Sequence, residues 1–269
     1  MEPDLITSTL RQLQEVERYA STSEQHGALE NCRLVLHFIM GRGESAEFMG
    51  YFQGFNTALL TPVLSFATKE EADTWLRNHP APPHGATIGA AGARYSLAYS
   101  RELELRKLLR LPSEEEFARM EGAGEETEEE AEEEQIPPHP GHGTRFNFFD
   151  CFNWTCFHLY EMEKRISSPE ELEAIRAARI AFHFVMDVGE YHGFEEYRET
   201  VHASRTSHPL QAFATREEAD SWLAKQPEPP SPAVVAIGSE LYSVGYNRLR
   251  ALRVLSRIPT QQELGARAP

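Results

Sequence analysis

The chain has 269 residues, 41% of them hydrophobic and 10% aromatic, and a formal charge of −16. This is enough apolar material for an ordinary globular core, which excludes disorder throughout; the acidic balance disfavours sequence-independent nucleic-acid binding and favours a protein partner with a basic surface. Three cysteines, Cys32, Cys151 and Cys156, form no CxxC pair and share no zinc-like spacing with histidine. With no apolar stretch of spanning length and no basic, apolar leader, the expectation is a cytoplasmic protein without a membrane anchor, a disulfide framework or a cofactor.

Leu5, Ile6, Leu10, Leu13 and Val16 recur at helical spacing and predict an opening helix. A short strand ending at Phe66 should meet a helix started by Thr68-x-x-Glu71, a capping box, and stopped by the prolines at 80, 82 and 83. Two alternating runs, 86–90 and 94–99, predict a hairpin. Leu105, Leu108 and Leu111, at intervals of three, then predict a short amphipathic helix with arginines on its other side.

From about Gly122 to Thr144 the composition changes. The run Glu125 to Glu134, followed by Pro137 to Gly141, cannot bury enough apolar surface to offset the entropy of ordering, so a disordered acidic linker is expected.

Beyond it the same pattern returns. Phe66-Ala-Thr-Lys-Glu-Glu-Ala-Asp-Thr-Trp-Leu76 lies over Phe213-Ala-Thr-Arg-Glu-Glu-Ala-Asp-Ser-Trp-Leu223 without a gap. The match extends to Tyr95-Ser-Leu-Ala-Tyr99 over Tyr242-Ser-Val-Gly-Tyr246, and upstream to Leu36-His-Phe-Ile-Met40 over Phe182-His-Phe-Val-Met186. The second half should open on a helix carrying Phe149, Phe152, Cys156 and Leu159. Ser168-Pro-Glu-Glu171 reads as another capping box, and Arg179 to Met186, which alternates like a strand but continues a helical pattern, is read as helix. Gly238-Ser239 supplies the second hairpin turn.

The expected fold class is therefore α+β. Two tandem copies of a small domain, 1–121 and 145–269, are joined by the linker 122–144, each with N-terminal helices followed by β-α-β-β-α around an antiparallel sheet. Shared apolar patterns allow the copies to pack with pseudo-twofold symmetry.

Few residues suggest chemistry. Glu70-Glu71 and Glu217-Glu218 are explained by capping and the helix dipole. His37 and His183 are equivalent, and Glu44 and Glu190 follow them at equal distance, but no second ligand stands at metal spacing. Trp75, Trp222 and the paired tyrosines read as core, because small domains need their burial. The stretch from Gly85 to Gly92 lacks a P-loop ending, and no GxSxG or HExxH motif is present. Arg101, Arg106 and Arg110, matched by Arg248, Arg253 and Arg257, form the one repeated basic feature, a candidate contact for an acidic partner or phosphate. Glu128, Glu129, Glu130, Glu132, Glu133 and Glu134 are candidate contacts for a basic one.

The segment Phe-Ala-Thr-x-Glu-Glu-Ala-x-x-Trp-Leu resembles part of the small N-terminal modules of some ribonucleases H, which bind RNA-containing duplexes. The chain lacks the Gly-rich, Trp-bearing strand and loop that precede that segment there, so the activity is not carried over. In its duplication, acidity and wealth of Arg, Ala, Glu and Pro, the chain resembles uncharacterised cytosolic proteins of high-GC bacteria such as myxobacteria, some of them immunity proteins or inhibitors. That resemblance implies a non-enzymatic binding protein that neutralises a toxin or protease. The alternatives are a nucleic-acid or nucleotide binder using the repeated arginines and aromatic strands, and an enzyme with a site between the copies.

Overall fold

Local sequence signals set most element boundaries. The computed structural model describes residues 4–55, 62–101, 104–113, 115–116, 147–204, 208–226 and 233–265, and the expected linker with Glu128 to Glu134 lies outside them. In the first half these residues form α1 (Leu5–Val16), α2 (Ser23–Gly41), α3 (Ser45–Gly54), β1 (Leu64–Phe66), α4 (Lys69–Asn78), β2 (Thr87–Ala90), β3 (Ala93–Ser100) and β4 (Leu105–Arg110). The second half gives α5 (Phe148–Glu163), α6 (Pro169–Asp187), α7 (Tyr191–Ser204), β5 (Gln211–Phe213), α8 (Arg216–Lys225), β6 (Ala233–Ile237), β7 (Glu240–Asn247) and β8 (Leu252–Arg257). The same order thus occurs twice, in a mixed architecture of helices and two four-stranded sheets.

The helix starts follow the sequence closely. Thr68 Oγ1 accepts the Glu71 N–H at 3.2 Å and Thr215 Oγ1 accepts the Glu218 N–H at 3.3 Å, while each glutamate reaches back to the N–H before its threonine. At α6, Ser168 caps through the Glu171 N–H, but the Glu171 carboxylate does not close the expected box. It accepts Arg18 Nη2 at 2.6 Å instead, tying the halves together. The segment 179–186 is helical, within α6. In α5 the buried stripe runs through Phe148, Cys151, Thr155, Leu159 and Met162; of the expected face Leu159 is buried, Phe152 and Cys156 are half-buried and Phe149 is exposed.

The last element of each half is a strand rather than the expected helix. β4 pairs antiparallel with β3 over Tyr95↔Arg110 to Ser100↔Leu105, and β8 pairs with β7 in the same way. Leucines three apart suit a helix taken alone, yet pairing with the open edge of β3 satisfies backbone groups that a short isolated helix would leave to water. Of Leu105, Leu108 and Leu111, only Leu108 is buried. Each sheet is also mixed rather than antiparallel, because β1 and β2, and likewise β5 and β6, run parallel across a helical crossover.

The helices of the two halves share one core. α1 lies along α6 and α5 along α2, so the opening helix of each half packs on the second helix of the other, and α2 meets α6 between them. Phe38, Phe48, Phe182 and Phe194 are buried there, each worth ~2–3 kcal/mol of transfer free energy. The ion pair Arg33–Glu17 at 2.7 Å recurs as Arg179–Glu163 at 2.8 Å. Each sheet has its own smaller core beneath one helix, with Ala72, Leu76 and Leu97 under α4 and with Ala219, Leu223 and Val244 under α8.

Symmetry breaks at the opposite faces of the sheets. In the second half, α2 and α7 pack on β8 and β7 from the side away from α8. Gly41 allows this approach: a Cβ there would stand 2.9 Å from Ser256 Cβ and 3.0 Å from its Cα. The Tyr197 hydroxyl then donates to the Arg257 carbonyl at 2.7 Å. Ser256 is 3% exposed, whereas its counterpart Leu109 on β4 is 47% exposed, with Leu105 and Lys107 open beside it.

Candidate functional site

The α2–α3 and α6–α7 turns are built alike. Gly43 and Gly189, at φ +70° and +72°, end α2 and α6 in the left-handed conformation, and the next residues, Glu44 and Glu190, turn the chain by donating their N–H groups to Ile39 and Val185 carbonyls. Their own carbonyls accept Phe48 and Phe194 N–H at 2.9 Å as α3 and α7 begin. The turn geometry therefore places one carboxylate from each half at the junction of the two halves.

Both carboxylates converge on the turn between β7 and β8. Glu190 is 0% exposed; its Oε1 accepts Arg42 Nη2 at 2.9 Å and the Arg248 N–H at 2.6 Å, while Oε2 has no hydrogen-bond partner. Glu44 is 1% exposed and accepts Asn247 Nδ2 at 2.6 Å. Asn247 in turn accepts the Arg250 N–H at 2.9 Å, and Arg250 pairs with Glu47. Arg42 also donates to the Tyr246 carbonyl at 3.1 Å, with its guanidinium over the Phe38 ring. Burial raises both carboxyl pKa values above the ordinary carboxylate range, outweighing the pull of Arg42 on each.

Beside this cluster is a cavity of about 240 Å³ lined by Glu44, Glu47, Tyr51, Phe184, Leu249 and Arg250, among others. Behind it the Tyr51 hydroxyl donates to Asp187 Oδ2 at 2.5 Å. Burial lifts Asp187 to about 6, against the lowering effect of that bond. Tyr51 and Tyr197 are equivalent in sequence, yet one holds Asp187 and the other pins β8.

The repeated arginines are dispersed. Arg106 donates to the Leu76 and His79 carbonyls at the end of α4 and lies over Tyr99. Arg110 pairs with Glu116, and Arg257 with both Glu240 and Glu263. Arg248 serves Glu190 through its backbone, Arg253 lies on β8 and Arg101 is exposed at the end of β3. Arg94 and Arg110 border an open cleft of about 670 Å³ at the end of the first sheet. The equivalent place in the second half, about 250 Å³, is walled by Val201 and Ser204 of α7.

The histidines do not join the buried acids. His37 is lowered to about 4 by burial, and His183, also lowered by burial, stacks against Phe55 and Phe152. Trp75 and Trp222 pack on Phe66 and Phe213, and the tyrosine-bearing faces of the sheets lie under α4 and α8. Among the described residues no three His, Cys, Asp or Glu side chains are placed to hold a metal ion, and no helix is long and apolar enough to cross a membrane. Arg42, Tyr51, Asp187 and Asn247 escape sequence reasoning; the repeated Gly-Glu after an apolar helix was the available signal. Comparison with known protein families, curated proteins and solved structures finds no match for this chain.

Proposed function

We propose that the chain is a non-enzymatic protein-binding protein, of the inhibitor or immunity type, whose partner is held across the outer face of the first sheet. One observation carries this reading: on the second sheet α2 and α7 bury Ser256 and half-bury Val254, whereas their counterparts Leu109 and Lys107 stand exposed on the first, beside Leu105, which is exposed like its counterpart Leu252. Exposed leucines beside Lys107 and Arg94 suit a partner segment that is apolar on one side and acidic at its edge. The tandem duplication supports the reading, since one copy of the sheet is consumed by internal packing and the other is left for an external contact. A basic partner drawn to the net negative charge is the competing form of the same proposal, and it would use Glu128 to Glu134.

The test is affinity capture of the tagged full chain from its native extract at low salt, with mass spectrometry of what co-elutes. A stoichiometric protein should bind wild type and be lost from Lys107→Glu/Leu109→Glu, with thermal unfolding unchanged. Loss on deletion of 125–134 alone would transfer the contact to the acidic run. A bound nucleic acid, or capture insensitive to both changes, would overturn the proposal.

A further inference from the structure

We propose that the cavity between α3, the α6–α7 turn and the β7–β8 turn binds a small organic monocation, an alkyl- or aryl-ammonium ion with a short apolar body. The charged groups around it come from five places: Arg42 at the end of α2, Glu44 in the following turn, Glu47 on α3, Asp187 and Glu190 around the α6–α7 turn, and Arg248 and Arg250 beyond β7. Glu44, Glu47 and Arg250 line the cavity itself, whereas Arg42, Asp187, Glu190 and Arg248 do not. Glu190 is paired with Arg42 and Glu47 with Arg250. Glu44 and Asp187 hydrogen-bond neutral groups, the Asn247 amide and the Tyr51 hydroxyl.

Glu44, almost wholly buried on the wall of an open volume, is held by a neutral amide and has no guanidinium in direct contact, Arg42 and Arg250 acting on it only from a distance, which leaves room beside it for a further cation. The rest of the wall selects the body of the ligand. Phe184, Val188, Leu249, Pro62 and Val63 offer an apolar surface that a hydrated metal ion could not use. The volume lies below the ~300 Å³ at which drug-sized pockets begin, which limits the ligand to a few heavy atoms beyond its ammonium group. Each half contributes to the wall, through Glu44 and Tyr51 on one side and Phe184 and Leu249 on the other, so the site exists only where the halves are packed together.

Isothermal titration calorimetry of the full chain with n-butylammonium, n-hexylammonium, hexan-1-ol and hexanoate tests this at pH 8 and low salt. Saturable one-to-one binding of the ammonium ions is expected, with hexan-1-ol and hexanoate at least tenfold weaker. Glu44→Gln keeps an acceptor for Asn247 and removes the charge; it should weaken n-hexylammonium at least tenfold. Gly50→Leu guards against a folding artefact. Gly50 lines the cavity with open space where a Cβ would lie, so a leucine there should block binding while leaving thermal unfolding intact. Hexan-1-ol binding as tightly as n-hexylammonium, an unaffected Glu44→Gln, or no saturable heat at millimolar ammonium would overturn the proposal.

Discussion

Asp187→Asn should stabilise the protein at neutral pH, although it removes a charged hydrogen-bond acceptor. The substituted side chain still presents an oxygen to the Tyr51 hydroxyl, now 2.5 Å from Asp187 Oδ2, and it no longer places a charge in a buried site. The magnitude follows from the displacement of the carboxyl from its ordinary 3.8 to about 6, which corresponds to ~3 kcal/mol of penalty on the ionised form. Because the folded value is raised, the folded state holds the proton more tightly than the unfolded one. Below about 3.8 both states are protonated and no penalty exists; it grows as pH rises towards about 6 and stays constant above that. Urea unfolding of wild type and variant at pH 3.5, 5 and 7.5, roughly spanning this window, should therefore give a stability difference near zero at the first, intermediate at the second and up to ~3 kcal/mol in the variant's favour at the third. Comparing the two proteins at each pH cancels the titration of His37 and the other acids. A variant less stable than wild type at pH 7.5, or a difference independent of pH, would refute the reasoning.

Arg42→Met should cost ~3–5 kcal/mol in urea unfolding at neutral pH, because it leaves the fully buried Glu190 carboxylate without its cation; a loss below ~1 kcal/mol would mean that Glu190 is already neutral. Gly41→Val pushes side-chain atoms into the backbone of β8 and should lower stability by at least ~1–3 kcal/mol, with faster hydrogen exchange in β7 and β8 than in β2 and β3 as the sign that the second sheet has been loosened. Burial pushes the Cys32 thiol far up, Cys151 up to about 12 and Cys156 to about 11, so iodoacetamide at pH 7.5 should label these three thiols only after denaturation.

The two buried glutamates show how a repeated sequence can serve two structural ends. A strictly twofold arrangement would give each half's turn one glutamate, but Asn247 and the N–H groups of Arg248 and Leu249 draw both to the same turn. The cost of burying two acids together is offset by Arg42 and by backbone donors, which do not titrate. The second sheet is thereby strapped to the helical core. On the first, the equivalents of Ser256 and Val254 are an exposed leucine and lysine.

What the sequence determined by itself was whatever is written in short-range pattern. The Thr-x-x-Glu starts of α4 and α8, the proline stop after α4 and the hairpins depend on residues within a few positions of one another, and these reappear as expected. Local pattern misjudged 105–110 and 252–257, because leucines three apart are indifferent between a helix and a strand until the edge of β3 or β7 supplies partners. Only tertiary structure decided that α1 packs on α6 and α5 on α2, that Glu171 leaves its own cap for Arg18, and that Glu44 and Glu190 meet across the junction. The side-chain partners of those charges lie far away in the chain, 148 positions for Arg42 and Glu190 and 203 for Glu44 and Asn247, and no periodicity or spacing encodes such a pairing. It exists because two similar helical layers exclude water from the same place and leave the acids there to find whatever donors the fold brings within reach.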